Sequence, residues 1–242
     1  MINKKTFTRV SPVIPASIQN AAVIADTELL FDWHKVENFN GSMIDGVTAI
    51  VRGTDGAAQT MVGIDLFFAT SHIPTPSDGV NVSVDTAPAS LGTEGAAVPA
   101  SNGGWFNNLV GHVAIANTDF NDGDLNFLNI ATKSGFNIPV SGDLYVAAVS
   151  KGDLDFRNTI SVNETGFAAG TQTEITIATV HADKIFAPGD LIHAADDAVL
   201  GTVKTVDSDT QITLTTANVD AIANTDVLYC VSPIQLILSG TV

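Results

Sequence analysis

Five histidines, one cysteine and 26 acidic side chains are what this 242-residue chain has for building chemistry. Nucleophilic catalysis needs a Ser or Cys held at a sharp turn with a base in reach. No G-x-S-x-G elbow occurs, and Cys230 sits in the apolar run Val227 to Val231 without an electropositive neighbour in sequence. A small buried side chain is the ordinary reading of that cysteine, and a single one excludes an intramolecular disulfide. The histidines His34, His72, His112, His181 and His193 are scattered. None forms H-x-x-x-H or H-E-x-x-H, so zinc has no support in the spacing. Gly103-Gly104-Trp105 lacks both the Lys and the following helix of a phosphate-binding loop.

The sharpest cluster is Asp119-Phe120-Asn121-Asp122-Gly123-Asp124. Asp119, Asp122 and Asp124 offer hard carboxylate oxygens around one glycine, the donor type that Ca²⁺ takes. The spacing departs from a helix–loop–helix calcium loop, because Gly123 comes one position early and no Glu stands at the bidentate position. Asp-Gly turns are also ordinary hairpin chemistry. The expectation is a turn, with structural Ca²⁺ the alternative and no other cofactor. Two separated carboxylates can hydrolyse a glycoside, and Asp65 is an isolated acid within a strand. Sugar sites usually add aromatic platforms, however, and the chain has 2 Trp and 2 Tyr. The expectation is therefore a protein that is not an enzyme, with a carbohydrate-binding or carbohydrate-cleaving module as an alternative.

Such residues need a scaffold, and the composition indicates its type. The chain is 45% apolar but only 15% charged, below the typical quarter of soluble domains. Thr, Ser, Asn and Gly supply the polarity, which suits strands and turns. A formal charge of −16 repels nucleic acid and anionic lipid, so neither is an expected partner. No signal peptide and no run of roughly 18 apolar residues is found, so synthesis in the cytoplasm without membrane insertion is expected. Lys4, Lys5, Arg9 and Lys35 concentrate positive charge in the first 35 positions. They read as a solvated end or as an arm touching an acidic partner.

Periodicity predicts an all-β protein. Residues 1–24, with Pro12 and Pro15, read as an extended N-terminal arm. Strands are predicted at Glu28 to Val36, Val47 to Arg52, Thr60 to Thr70, Leu109 to Ala116, Leu125 to Ala131 and Leu144 to Ser150. The second and third of these flank the turn Gly53-Thr54-Asp55-Gly56 and read as a β-hairpin. Residues 73–104 read as a long surface excursion with one weak strand at Val80 to Val84. Short helical turns fit only near Ser17 to Ala25 or Val219 to Ala223. Five further short strands are predicted at Thr173 to Val180, Asp190 to Ala194, Val199 to Val206, Thr210 to Thr216 and Val227 to Val231. They suffice for a small SH3-like or otherwise closed barrel. Ile234 to Ser239 alternates again and is expected to return to the first sheet. The predicted architecture is an antiparallel, jelly-roll-like β-sandwich of residues 25–157 plus 233–242, with a small barrel of residues 158–232 inserted near the C-terminus.

Several blocks resemble virion structural proteins of tailed bacteriophages, especially marine ones. In the sandwich they are Ala25-Asp26-Thr27-Glu28-Leu29-Leu30-Phe31-Asp32, Ile64-Asp65-Leu66-Phe67-Phe68, Ser90-Leu91-Gly92-Thr93-Glu94-Gly95-Ala96-Ala97 and Leu144-Tyr145-Val146-Ala147-Ala148-Val149-Ser150-Lys151-Gly152. In the inserted unit they are Gly189-Asp190-Leu191-Ile192, Leu200-Gly201-Thr202-Val203 and Asp207-Ser208-Asp209-Thr210-Gln211-Ile212-Thr213-Leu214. The resemblance covers roughly residues 25–155 and 185–240. It implies a place in the virion and, first, a capsid decoration or cement protein on the shell exterior. The implied partners are the major capsid protein and further copies of the chain, as a homotrimer. A tail, baseplate or fibre-base subunit is the alternative.

Overall fold

The computed structural model describes residues 4–73, 84–85, 87–99, 105, 107–121, 127–178 and 181–241. In chain order the first strand is β1 (Lys5–Val10), followed by helix α1 (Ala16–Ala21). Strands β2 (Leu29–Lys35), β3 (Met43–Arg52) and β4 (Gly63–Thr70) come next. A short ribbon follows, β5 (His72–Ile73) with β6 (Val84–Asp85). Then come β7 (Leu109–Ile115), β8 (Leu128–Pro139) and β9 (Leu144–Lys151).

The five short strands are β10 (Glu174–Thr176), β11 (Leu191–Ala194), β12 (Val199–Ser208), β13 (Gln211–Leu214) and β14 (Leu228–Cys230). Helix α2 (Ala182–Ile185) lies between β10 and β11, and β15 (Ile234–Thr241) ends the chain. The protein is all-β, with antiparallel sheets packed together as a sandwich.

Alternating residues explain why the sandwich holds. Ile234, Leu236 and Leu238 of β15 are buried while Gln235, Ile237 and Ser239 between them face outward. Ile64, Leu66 and Phe68 do the same in β4. These side chains meet Phe31, Val47, Val51 and Val146 in one core. Fully burying a side chain of this size stabilises by roughly 1.5–3 kcal/mol. At one flank of the sandwich the two sheets come very close. A Cβ at Gly111 of β7 would lie 2.7 Å from the Ile138 side chain of β8, so only glycine fits.

Eight strands make up the two four-stranded sheets of the sandwich, ordered β1-β15-β3-β8 and β2-β9-β4-β7. Their pairing is nested. The first strand pairs with the last (β1 with β15), the second with the second last (β2 with β9), then β3 with β8 and β4 with β7. One long hairpin rolled on itself gives this order, which is the double-sheet jelly roll. The expected hairpin of β3 with β4 is therefore corrected: the two strands lie in opposite sheets. Residues 53–62 form a corner instead, pinned where Gly53 N–H donates to Phe127 O. Buried alternation is the same for a hairpin and for a corner, so periodicity does not separate them.

The chain leaves the sandwich after β9 and returns as β15, which pairs with β1 and β3. The strands between make an antiparallel sheet, β10-β13-β12-β11-β14, with its own core around Ile175, Ile192, Leu200, Ile212 and Leu228. The expectation is a small closed barrel, and closure is not seen among the described strands. Among the described residues the end strands β10 and β14 do not pair. Segment 161–162 spans the gap through isolated bridges to Val227 and Ile177.

Residues 4–24, expected as an extended arm, are edge strand β1 and a segment carrying α1. That segment lies against the inserted sheet. Gln19 is buried and its amide donates to Ile14 O and Cys230 O at 2.8 and 3.0 Å. Tyr229 Oη bonds Asn20 Oδ1 at 2.9 Å. No helix forms at Val219 to Ala223. Part of the 73–104 excursion also folds back. Leu91 is buried, and the Trp33 indole N–H donates to Ala89 O at 2.9 Å, so residues 87–99 cover part of the outer face of the β2-β9-β4-β7 sheet.

Candidate functional site: an uncovered sheet face

No described segment lies across the outer face of sheet β1-β15-β3-β8 as residues 87–99 lie across the other. Strand parity decides what it presents. Phe7 and Arg9 of β1 pair with Ser239 and Ile237 of β15. Ile237 pairs with Thr48 of β3, and Gln235 with Ile50. Thr48 and Ile50 pair with Thr132 and Ile130 of β8. All point away from the core. The face is an apolar and hydroxyl surface, with Thr48 and Thr132 hydrogen-bonded across it at 3.0 Å. Phe7 is 72% exposed, the largest exposure among the large hydrophobic residues described.

The carboxylate at the edge of this face is neutralised. Asp45 accepts hydrogen bonds from Lys5, Ser239 and Thr241, each at 2.7 Å. These bonds, that of Lys5 first, hold its carboxyl down at about 2. Beside the face, where the inserted unit meets the sandwich, lies a notch of about 250 Å³. Arg9, Ile50, Leu128, Lys184, Phe186 and Gln235 are among its walls. In its wall Arg52 grips Asp190 through two guanidinium contacts, one of them at 2.8 Å, and also donates to Ile185 O at 2.9 Å.

The opposite sheet carries a second feature. His112 Nε2 lies 3.2 Å from Asp65 Oδ1, Lys151 lies 3.7 Å from the other oxygen, and the His112 ring rests 5.0 Å from that of Phe67. Asp65 is thus an outward strand residue flanked by a histidine and a lysine. Asp65 and Lys151 line an open groove of about 450 Å³ with Met61, Val62, Ala114 and Asn117, and a separate apolar cavity of about 210 Å³ on the same sheet is lined by Thr27, Phe67, Leu91, Val98, Trp105 and Val149.

Of the residues considered for Ca²⁺, Asp122 and Asp124 lie outside the described residues. Asp119 is engaged elsewhere. Its carboxylate pairs with Lys133 at 2.6 Å and accepts the Ala116 N–H at 2.7 Å. These two donors, Lys133 first, keep its carboxyl below the usual range. Among the described residues no group of three His, Cys, Asp or Glu converges as metal ligands. His193 is buried enough to push its pKa down, and neither ring nitrogen meets a partner among the described residues. Cys230 is buried beneath α1, and desolvation pushes its thiol up to about 11, far from the reactive thiolate range.

Sequence reasoning missed both the uncovered face and the notch. The parity of Lys5, Phe7 and Arg9 was available as a signal, but it gains meaning only once β1 is known to be a strand. No family model matches this chain, and no curated protein matches it.

Proposed function

We propose that this chain is a non-catalytic structural protein of a tailed-bacteriophage particle, a capsid decoration or cement protein that binds the outer shell. The observation that carries the reading is the uncovered face of sheet β1-β15-β3-β8 on an otherwise strongly acidic molecule. A catalytic protein gathers titratable groups into a cleft. Here four strands form a broad surface of Phe, Ile and Thr side chains, which is what adhesion requires. The jelly roll is used by viral capsid and lectin domains among others, so the fold is compatible with this role.

Size sets how the adhesion works. Strands spaced about 4.8 Å apart, with roughly eight residues at 3.3 Å each, give a face on the order of 500 Å². A standard interface buries about 800 Å² per partner, so one copy holds weakly. Many linked copies on a shell gain through effective concentration. The reading therefore includes self-association, as a trimer at three-fold positions, with the major capsid protein as partner. Neither nucleic acid nor a membrane is involved, and no metal is required.

The test is rebinding. Purified, fluorescently labelled protein is mixed with shells stripped of it and, separately, with isolated tails. Label on shells, with tails dark, is the expected result. Label confined to tails makes the chain a tail, baseplate or fibre-base subunit instead. Label on neither ends the virion reading.

A further inference from the structure

We infer that the notch between the sandwich and the inserted unit is the seat of an acidic loop of the shell protein. The inference rests on the decoration reading and gives the partner surface a chemistry.

The first argument is charge. The chain has 26 acidic residues and only 10 basic ones. In such a molecule a cation readily finds a carboxylate, as Lys5, Lys35, Arg52, Lys133, Lys151 and Arg157 do. Arg9 and Lys184, like Lys4 and Lys204 elsewhere, form no ion pair with a carboxylate among the described residues. Arg9 Nη1 meets the neutral Gln235 amide oxygen at 3.1 Å instead. Both cations line the same notch; Asp183 is the acid among its described walls, and Arg52, also in the wall, is occupied by Asp190. Asp45, a carboxylate at the adjoining face, is saturated by its three donors. Among the described residues, Arg9 and Lys184 against Asp183 leave the notch with a net charge of +1 on a molecule of charge −16, and an anionic group fits it better than it fits the rest of the surface.

The second argument is shape. The notch is concave and its inner wall is apolar, from Ile50, Leu128, Ile185 and Phe186. At about 250 Å³ it exceeds the ~150 Å³ cavity that accepts a benzene ring. It therefore has room for an acidic side chain together with an apolar neighbour. A loop bearing a carboxylate beside an aliphatic or aromatic residue satisfies both walls. The flat strip of Ile237, Ile130 and Phe7 extends the contact away from the notch. An apolar centre with charges at its rim is the usual anatomy of a protein interface.

Stripped shells again serve as the probe, with full-length variants. Arg9→Glu combined with Lys184→Glu is expected to weaken rebinding at least roughly tenfold, because two attractive contacts become repulsive and the effect multiplies over copies. Phe7→Ala, at an exposed position, is expected to weaken it several-fold. Lys204→Glu, on an exposed part of β12, makes a single charge reversal away from the notch and should leave rebinding unchanged. Unaltered circular dichroism and melting temperature check that each variant is folded. Wild-type binding that the double reversal leaves intact overturns the notch while sparing the decoration role. Equal losses from Lys204→Glu and from the notch variants reduce the effect to bulk charge and also overturn it. Wild-type protein that binds no shell removes both readings together.

Discussion

The carboxylate of Asp45 receives three side-chain donors, and its largest debt is to Lys5. Its folded pKa of about 2 lies below the ordinary aspartate value of 3.8. A carboxyl depressed in the folded state stabilises the fold above its unfolded pKa, and that stability is lost as pH falls through the folded value. Asp45→Asn should therefore cost about 1–2 kcal/mol at neutral pH, a figure reduced from the full shift because Lys5 is exposed. The gap from wild type should close as the pH falls from about 4 to about 2. Urea unfolding at a series of pH values measures it, and a gap independent of pH would contradict the ionic account. Cys230 gives a second prediction at this scale. With its thiol pushed up to about 11 by burial, the folded protein should resist a thiol reagent at pH 8. Guanidinium should expose one equivalent. Rapid labelling of the native protein would mean that α1 does not cover the thiol.

At the scale of elements, β15 is paired on both sides and alternates strictly between buried and half-buried side chains. Two adjacent residues thus have opposite fates. Leu236→Ala should destabilise by about 2–5 kcal/mol by opening a cavity in the main core. Ile237→Ala, on the outer face, should cost less than about 1 kcal/mol. Chemical denaturation compares them, and similar costs would mean the register is shifted by one residue. The same alternation made β4 and β15 legible in the sequence. Tight turns such as Ala195-Asp196-Asp197 and Asp207-Ser208-Asp209 made β11 to β14 legible as well. Partner choice was not legible. Met43 to Arg52 alternates equally well beside β4 or between β15 and β8, because burial fixes which side chains point inward and not which strand lies alongside. β1 was hidden because Lys5, Phe7 and Arg9 face outward and no run of buried residues announces them. The notch was invisible for a related reason: Arg9, Ile50, Leu128 and Lys184 meet only through long-range pairing.

For the whole molecule, two cores share one chain. The sandwich packs around Phe31, Leu66, Phe68 and Leu236, and the inserted sheet packs around Ile175, Ile192 and Leu228. Polar contacts join them. Ser17 N–H donates to Asp197 at 3.0 Å, Gln19 reaches the Cys230 carbonyl, and Arg52 grips Asp190 with both side chains largely buried, 12% and 6% exposed. The last pair matters most because a buried charge that loses its partner is expensive, roughly 3–5 kcal/mol. Asp190 also accepts the Ala187 N–H at 2.6 Å, so its loss loosens the turn that leads into β11 as well. Wild type should melt in one calorimetric transition while this joint holds. Asp190→Ala should split it in two, with the smaller unit melting first because its core is smaller and β15, which closes the sandwich, pairs outside it. Replacing both charges, Arg52→Met with Asp190→Leu, should recover much of the loss, since an apolar pair of similar volume leaves no stranded ion. A single transition that only shifts downward in Asp190→Ala would mean that the covalent joints and α1 couple the units without the ion pair.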